Sequence, residues 1–293
     1  MRLRGTFTAL VTPFNADGSV DFGALAALVE SQLDASVSGL VPCGTTGEAA
    51  TLTADERFSV IEAVAKKAVE IPIIAGTGTN NTAQSVELHR RASDHGATHS
   101  LAVTPYYNKP SQAGLLAHYR AMADACDLPI VLYNVPSRTG CDLEAETVLE
   151  LASHPNIVAV KEATGDLERV VALGQRAPSD FAILSGDDPT AASLVLFGGH
   201  GVVSVASNMA PAFMRSLIDA ALEADLARVH ALQAKLLPLN AALFMESNPI
   251  PLKAALTMRG LIQEHYRLPL VAMDRDGREK LEGVLRTGGW LDR

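Results

Sequence analysis

The segment NIVAVKEATGD (Asn156–Asp166) joins a short apolar run to a polar loop. Ile157–Val160 predicts a buried strand, because its residues are small or β-branched and none of them is polar. Lys161 closes that run, and a lysine is rarely buried unless it is paired or used chemically. Strands that are apolar along their whole length are typical of parallel sheets covered on both faces. The segment therefore predicts a parallel sheet and raises the question of what Lys161 does.

Seven further runs of this kind occur along the chain, and most of the intervals between them have a helical pattern, as in Asp21–Ala35 and Ser85–Gly96. Eight strands that alternate with helices predict an α/β fold, a (β/α)8 TIM barrel, which typically takes about 250 residues. The additional runs are Gly5–Leu10, Ser38–Cys43, Ile71–Gly76, His99–Thr104, Pro129–Asn134, Phe181–Gly186 and Gly201–Ala206.

A doubly wound open sheet is the competing fold. Its first turn usually carries a glycine-rich loop that binds phosphate or a dinucleotide. The nearest match is Gly76–Asn81, which lacks the third glycine and follows the third strand. We therefore favour the barrel.

After Ala224 the strand pattern stops and helical patterns follow. They cover Asp225–Phe244, Pro251–Arg259 and Gly277–Leu285, and the prolines of Glu246–Pro251 interrupt them because proline cannot continue a helix. We expect a catalytic barrel domain over residues 1–224 and a C-terminal helical extension over residues 225–293.

Composition restricts the classes of function. Hydrophobic residues make up 48 % of the chain and charged residues 19 %, which favours a large core over disorder. The net charge of −9 argues against binding to nucleic acid or to an anionic membrane surface. No apolar run approaches the roughly 18 residues of a membrane span, and the apolar stretch at the start of the chain is too short for a signal peptide.

The cysteines and histidines argue against a disulfide-bonded protein and against a metal site. The three cysteines are odd in number and have no CxxC spacing, which is typical of a reduced cytoplasmic protein. Gly96 separates His95 from His99, and the HExxH motif is absent. We expect no metal site.

Polar residues are concentrated where the predicted strands end, and fewer polar residues occur where the strands begin. In a barrel, catalytic groups lie at the carboxyl ends of the strands, so this asymmetry predicts an active site at that face. The polar strand ends are Gly44–Glu48, Thr77–Asn81, Pro105–Asn108, Tyr133–Gly140, Lys161–Gly165 and Ser185–Asp188.

Lys161 is the candidate nucleophile of this face. Side chains alternate along a strand, so Ile157, Ala159 and Lys161 are expected to point the same way, into the barrel. A free lysine has a pKa of about 10.4, and desolvation can lower it to roughly 7–8, which leaves an amine able to attack a ketone. The alternative is a lysine that reaches solvent or pairs with Glu162.

The residues near Lys161 fit the same chemistry. Tyr133 ends the adjacent strand, where a phenol can relay protons, although an aromatic cap on the barrel would look the same. Thr45 and Thr46 lie between glycines, and their hydroxyl and N–H groups suit a carboxylate. The planar guanidinium of Arg138 matches a carboxylate bidentately, although a loop arginine is more often a solvated charge.

Six motifs in this order and spacing resemble the pyruvate-dependent class I aldolases and synthases of the N-acetylneuraminate lyase superfamily. Within it they are most similar to the dihydrodipicolinate synthases, and the resemblance covers nearly the whole chain. The motifs are GTTGE (Gly44–Glu48), TPYYNKPSQ (Thr104–Gln112), YNVPSRTG (Tyr133–Gly140), VKEATGD (Val160–Asp166), SGDD (Ser185–Asp188) and ESNPIP (Glu246–Pro251).

The resemblance implies a reaction in lysine and diaminopimelate biosynthesis. Lys161 would form a Schiff base with pyruvate, and the resulting enamine would attack L-aspartate 4-semialdehyde to give 4-hydroxy-tetrahydrodipicolinate. No separate cofactor is implied, because the lysine carries the intermediate. Family members are commonly homotetramers built as dimers of dimers, so we expect a closed symmetric assembly.

The resemblance also implies a role for each site residue. A proton relay would consist of Tyr133, Thr45 and Tyr107, with Tyr107 reaching into a neighbouring subunit. Thr46 would hold the pyruvate carboxylate and Arg138 the carboxylate of the second substrate. The backbone at Gly186 and Val203 would line the pocket.

A candidate effector site departs from the lysine-inhibited members of the family. Asn80 and Tyr106 match that site, but Gln84 replaces an expected glutamate, and Ala54 and Arg57 stand where histidines are common. Loss of the carboxylate removes the partner of a lysine ammonium, and Arg57 adds a like charge. We therefore predict a vestigial site and weak or absent inhibition by lysine.

Two other functions remain open from the sequence. The chain can be a related pyruvate lyase that acts on a sugar acid or a hydroxy-keto acid, although Arg138 favours a small carboxylated aldehyde. It can also be a non-catalytic relative that binds a keto acid, although the retained polar strand ends argue against this.

Overall fold

The computed structural model describes residues 2–291 and contains one sheet of eight parallel strands. In chain order these are β1 (Gly5–Ala9), β2 (Gly39–Val41), β3 (Ile74–Gly76), β4 (His99–Val103), β5 (Ile130–Asn134), β6 (Ile157–Glu162), β7 (Ala182–Ser185) and β8 (Gly201–Ser204). The strand order is β2-β1-β8-β7-β6-β5-β4-β3, and a parallel bridge between Leu40 and Ile73 joins the two ends. The sheet therefore closes, and the predicted barrel is confirmed.

Helices occupy the intervals between the strands and follow the last strand. They are α1 (Phe22–Asp34), α2 (Ala54–Lys67), α3 (Thr82–Asp94), α4 (Gln112–Ala123), α5 (Pro136–Thr139), α6 (Ala145–Leu151), α7 (Leu167–Arg176), α8 (Ala191–Leu196) and α9 (Pro211–Leu222), with a 3₁₀ turn at Ala206–Asn208. Three more helices follow, namely α10 (Leu226–Leu243), α11 (Ile250–Met258) and α12 (Arg275–Gly288).

Several helices begin where a short polar side chain can cap them. Asp21 accepts a hydrogen bond from the backbone N–H of Ala24 at the start of α1. Thr53 and Glu56 form a reciprocal capping box at the start of α2. Such caps satisfy N–H groups that have no partner inside the helix, so these boundaries follow from local sequence.

Strand β6 differs from the prediction in two ways. It continues to Glu162, because the ladder runs on through the N–H of Gly186, which donates to Glu162 O at 2.7 Å. Its pairing register with β5 also shifts between Ile130 and Val131, which is a β-bulge. Ile157 therefore packs in the outer layer while Val158 packs against the interior, and the prediction that Ile157 shares the inward face of Lys161 is wrong.

Beyond the bulge, paired residues of neighbouring strands point to the same face of the sheet, and successive residues alternate between the inward and the outward face. Val131, Ala159 and Leu184 belong to the interior cluster, whereas Leu132, Val160 and Ile183 pack outward with residues of the surrounding helices. This alternation brings the inward positions at the ends of β5 and β6 to the mouth of the barrel.

The C-terminal helices reach back to the mouth of the barrel. In α11 the ammonium of Lys253 forms an ion pair with Glu48, and both side chains are fully buried. Arg267 pairs with Glu56 and donates to the carbonyl of Thr51 at 2.8 Å. The division of the chain into domains at residue 224 stays a prediction. None of the helices within residues 2–291 has the length and apolar character needed to cross a bilayer.

Candidate active site

A cavity of about 360 Å³ opens at the carboxyl ends of the strands. Strands β2 to β5 and the segment before α11 supply its walls. The lining residues that matter below are Thr45, Arg57, Tyr106, Tyr133, Arg138 and Asn248. Four of the six predicted polar strand ends contribute to this cavity, whereas Lys161–Gly165 and Ser185–Asp188 supply none of its lining residues.

Lys161 and Tyr133 are paired across β5 and β6. The lysine Nζ lies 4.0 Å from the centroid of the tyrosine ring, and both residues are more than nine-tenths buried. Within residues 2–291, no carboxylate lies within 4.0 Å of this ammonium, in contrast to the buried Lys253, which pairs with Glu48. A sheltered amine beside a phenol, without a fixed counter-charge, is suited to attack a carbonyl group.

Glu162 takes no part in neutralising Lys161, because its side chain points to the opposite face of β6. Its carboxylate accepts hydrogen bonds from Asn134 Nδ2 at 3.2 Å and from the N–H of Thr164 at 2.9 Å. Arg169 lies 3.7 Å away, and burial raises the pKa of Glu162. The structure therefore does not support the alternative of a Lys161–Glu162 pair.

Thr45 and Thr46 lie in a tight turn after β2. Thr45 is exposed in the cavity, whereas Thr46 is buried and its Oγ1 accepts a hydrogen bond from Asn248 Nδ2 at 3.0 Å. Glycine suits position 47 of this turn, because a Cβ there would lie only 3.1 Å from the carbonyl oxygen of Leu10, a tight contact. The glycine thus lets the turn pack against β1 and present its hydroxyls.

Arg138 lies on the short helix α5 at the rim of the cavity. Its Nη2 donates to the backbone carbonyl of Asn248 at 3.5 Å. No acidic side chain within residues 2–291 pairs with this guanidinium. Its charge is therefore available to a carboxylate ligand.

The three residues of the expected relay are not joined within one chain. Tyr107 is 88 % exposed, has a φ of +73° and does not line the cavity of its own chain. Among residues 2–291, no hydrogen bond links the side chains of Tyr133, Thr45 and Tyr107. The relay stays a prediction.

Gly186 and Val203 are not among the residues that line the cavity. A Cβ on Gly186 would lie 2.9 Å from Lys161 Cε, so the bare backbone here makes room for the lysine stem. Val203 is fully buried in β8, opposite Phe7 of β1. Their predicted role as pocket lining stays a prediction.

Arg57 is the most unusual residue of the candidate effector site. It is 7 % exposed, and its guanidinium donates to the carbonyl oxygens of Gly76 and Ala49, each at 2.9 Å. Burial lowers its pKa, and its Nε has no hydrogen-bond partner within the described chain. The guanidinium therefore places a cation in the part of the cavity that lies beside the carbonyls of Ala49 and Gly76.

Of the other four effector positions, only Tyr106 lines the cavity with Arg57. The backbone carbonyl of Asn80 accepts a hydrogen bond from Asn108 Nδ2 at 2.9 Å. Gln84 and Ala54 are exposed in the first turns of α3 and α2. Their effector role stays a prediction.

Sequence reasoning assigned no role to Asn248 or to the Glu48–Lys253 pair. Asn248 and Glu48 belong to the ESNPIP and GTTGE motifs, whereas Lys253 lies outside both. Nothing local indicates that Asn248 contacts Thr46, because the two residues are 202 positions apart.

Comparison with known proteins agrees with this geometry. Residues 2–287 match the model of the dihydrodipicolinate synthetase family. The chain is 48 % identical to a 4-hydroxy-tetrahydrodipicolinate synthase of Pseudomonas putida and 50 % identical to one of Alcanivorax borkumensis, with 99 % of each chain covered. It also superposes, with a TM-score of 0.97 and 45 % identity over 99 % of this chain and 100 % of the other, on a chloride-inhibited dihydrodipicolinate synthase from Acinetobacter baumannii complexed with pyruvate. The chain therefore belongs to the dihydrodipicolinate synthetase family.

Proposed function

We propose that the chain is a 4-hydroxy-tetrahydrodipicolinate synthase of lysine and diaminopimelate biosynthesis. It would condense pyruvate with L-aspartate 4-semialdehyde and need no separate cofactor, because Lys161 carries the intermediate. The observation that carries the proposal is the buried Nζ of Lys161, free of any acidic partner in the described chain and 4.0 Å from the Tyr133 ring. The names of the relatives support the choice of substrates.

The chemistry divides among the residues as follows. The Lys161 amine adds to the keto carbon of pyruvate, and loss of water gives the imine. Removal of a methyl proton converts the imine to an enamine, whose carbon attacks the aldehyde. Tyr133 and Thr45 move the protons of these steps. Thr46 holds the pyruvate carboxylate, and Arg138 holds that of the semialdehyde.

Borohydride trapping tests the proposal. Incubation with pyruvate and reductant should add a covalent mass, and peptide mapping should place it on Lys161. The K161A variant should give no adduct, whereas K66A, which removes an exposed lysine of α2, should react like the parent chain. Absence of an adduct in the parent chain would refute the enzymatic assignment.

A substrate panel tests the second half of the proposal. The trapped pyruvate adduct is shared with lyases that act on sugar acids, so it cannot choose between them. Turnover with L-aspartate 4-semialdehyde and not with sugar acids or hydroxy-keto acids is the expected result. The reverse preference would contradict the assignment while leaving the role of Lys161 intact.

We also propose a homotetramer, a dimer of dimers, in which Tyr107 completes the site of a neighbouring subunit. The large exposure of Tyr107 supports this, because the ring has little packing in its own chain. Its left-handed backbone also supports it, because such strain is common at functional sites. Light scattering should give four times the chain mass. The three free cysteines support a reducing compartment, and we propose the cytoplasm.

We further propose that lysine does not regulate this chain effectively. Arg57 already donates to the carbonyls of Ala49 and Gly76, so a second cation there would meet a like charge and occupied acceptors. Gln84 offers no carboxylate to an incoming ammonium. The effector site is in this sense vestigial.

A further inference from the structure

The segment before α11 contacts both residues proposed to hold substrate carboxylates. The side chain of Asn248 donates to Thr46 at 3.0 Å, and its backbone carbonyl accepts from Arg138 at 3.5 Å. Asn248 is 6 % exposed and lines the cavity. One residue of the C-terminal region thus touches both sides of the site.

We propose that Asn248 is a positioning residue whose amide orients the Thr46 hydroxyl toward the carboxylate of the keto acid. The inference rests on the proposed function. It assigns to the C-terminal region a direct part in the recognition of the first substrate.

The polarity of the hydrogen bond carries the inference. A hydroxyl has one hydrogen to donate and two lone pairs that accept. Asn248 Nδ2 uses one lone pair of Thr46 Oγ1, and this hydroxyl donates to no protein acceptor within residues 2–291. Its hydrogen is therefore free for a ligand, and a carboxylate is the ligand that would gain most from it.

The side chain of Asn248 makes no other hydrogen bond that would explain its presence in the described part of the fold. Its side-chain amide makes a single hydrogen bond in the described chain, the one to Thr46, and its Oδ1 is buried without a partner. For packing alone, an apolar side chain of the same shape would serve as well and would leave no buried oxygen without a partner. The amide group is therefore explained by the contact with Thr46.

The surroundings hold the asparagine in place. The helix that follows is tied to the GTTGE turn by the buried ion pair of Lys253 with Glu48, and Tyr266 donates to the carbonyl of Ile250 at 3.1 Å. Both ends of the Thr46–Asn248 contact are therefore anchored to the same buried pair. A fixed donor keeps the hydroxyl in one orientation before substrate arrives.

The decisive experiment compares N248A and N248D with T46V and with the double variant T46V/N248A. The measured quantities are KM for each substrate, kcat and the pyruvate dependence of borohydride trapping. T46V removes a hydrogen bond to a charged ligand, which corresponds to roughly 10- to 100-fold in affinity. N248A keeps that hydroxyl but no longer orients it, so KM for pyruvate should rise by about tenfold, the lower end of that range. KM for the semialdehyde should change less than about threefold, because the backbone carbonyl near Arg138 remains.

N248D tests the direction of the bond, since it keeps the shape of the side chain. The carboxylate of the new aspartate would accept the hydrogen of the Thr46 hydroxyl. The lone pairs of Thr46 Oγ1 would then face the pyruvate carboxylate and repel it, so KM for pyruvate should rise more than in N248A. The double variant should be no worse than T46V alone, because Asn248 acts through Thr46. M245A, an exposed position in the same segment, is the matched control and should behave like the parent chain.

Three outcomes overturn the inference: an unchanged KM for pyruvate in N248A, effects of T46V and N248A that add, or equal effects on both substrates. Thermal unfolding of each variant separates a folding defect from a binding defect. If N248A does not fold, N248D decides alone, because its side chain has the same shape. Absence of any adduct in the parent chain would reject the proposed function, whereas a normal adduct with unaffected N248 variants would reject only the role of Asn248.

Discussion

Lys161 and Tyr133 occupy paired positions on adjacent parallel strands, and the lysine Nζ lies 4.0 Å from the centroid of the tyrosine ring. The ring shields the amine from water and brings a phenol to the same inward face. The phenol itself makes no hydrogen bond within residues 2–291, so it is free to act on a ligand. The shielding of the amine and the proposed proton transfer by Tyr133 can be separated by mutation.

Y133F should remove proton transfer and keep the shield. We expect kcat to fall by roughly 10²- to 10⁴-fold, the usual contribution of a general acid or base. The melting temperature should stay within about 2 °C, because no protein hydrogen bond is lost. Borohydride trapping with pyruvate should still label Lys161, although more slowly. A Y133F variant that turns over within threefold of the parent chain would show that the phenol only packs.

G186A should disturb the lysine directly. The new Cβ would lie 2.9 Å from Lys161 Cε and 2.7 Å from the Cβ of Ala163, so the lysine stem must shift. We expect trapping of pyruvate to slow by at least about tenfold, with a loss of about 1–3 kcal/mol in the free energy of unfolding. G283A in α12, where a Cβ meets nothing within 4 Å, is the matched control and should keep full activity.

The buried pair of Lys253 with Glu48 should be essential for stability. K253M would leave the Glu48 carboxylate buried without its partner, and we expect a loss of about 3–5 kcal/mol in the free energy of unfolding by urea. The double variant K253M/E48Q should recover part of that loss, because it removes the stranded charge. K66M, which breaks the exposed pair with Glu62, should cost less than about 1 kcal/mol. Equal losses for K253M and K66M would contradict this account.

Lysine should have little effect on the purified protein. We expect activity to stay within about 10 % of the control at submillimolar lysine, because Arg57 repels an ammonium and occupies the nearby carbonyls. The R57A variant should show whether the guanidinium is the reason, since it frees the carbonyls of Ala49 and Gly76. Clear inhibition of the parent chain at submillimolar lysine would refute the prediction.

His118 should make stability fall on the acid side of neutrality. Burial lowers its pKa from 6.5 to about 4, and its Nδ1 lies 2.9 Å from the hydroxyl of Thr82. Between these two values the unfolded chain binds a proton that the folded chain does not, so stability is full above pH 6.5 and declines toward pH 4. H118Q should reduce the slope of unfolding free energy against pH in that interval. An unchanged slope would show that His118 does not contribute.

Local sequence determined the secondary structure and the placement of the main site residues. The eight apolar runs became eight strands, and Asp21 and Thr53 began helices where their side chains could cap free N–H groups. Alternation along β6 put Lys161 inside the barrel. These features depend on residues a few positions apart, and so they can be read from the chain directly.

Other features were decided only by the tertiary structure. The bulge that turns Ile157 outward depends on the register of β6 against β5, and the burial of Arg57 depends on carbonyls of two separate loops. The contact of Thr46 with Asn248 joins residues 202 positions apart. Such contacts form only when the barrel has closed and the C-terminal helices have packed over its mouth, because the free energy that selects them comes from burial and pairing between distant segments and not from local preference.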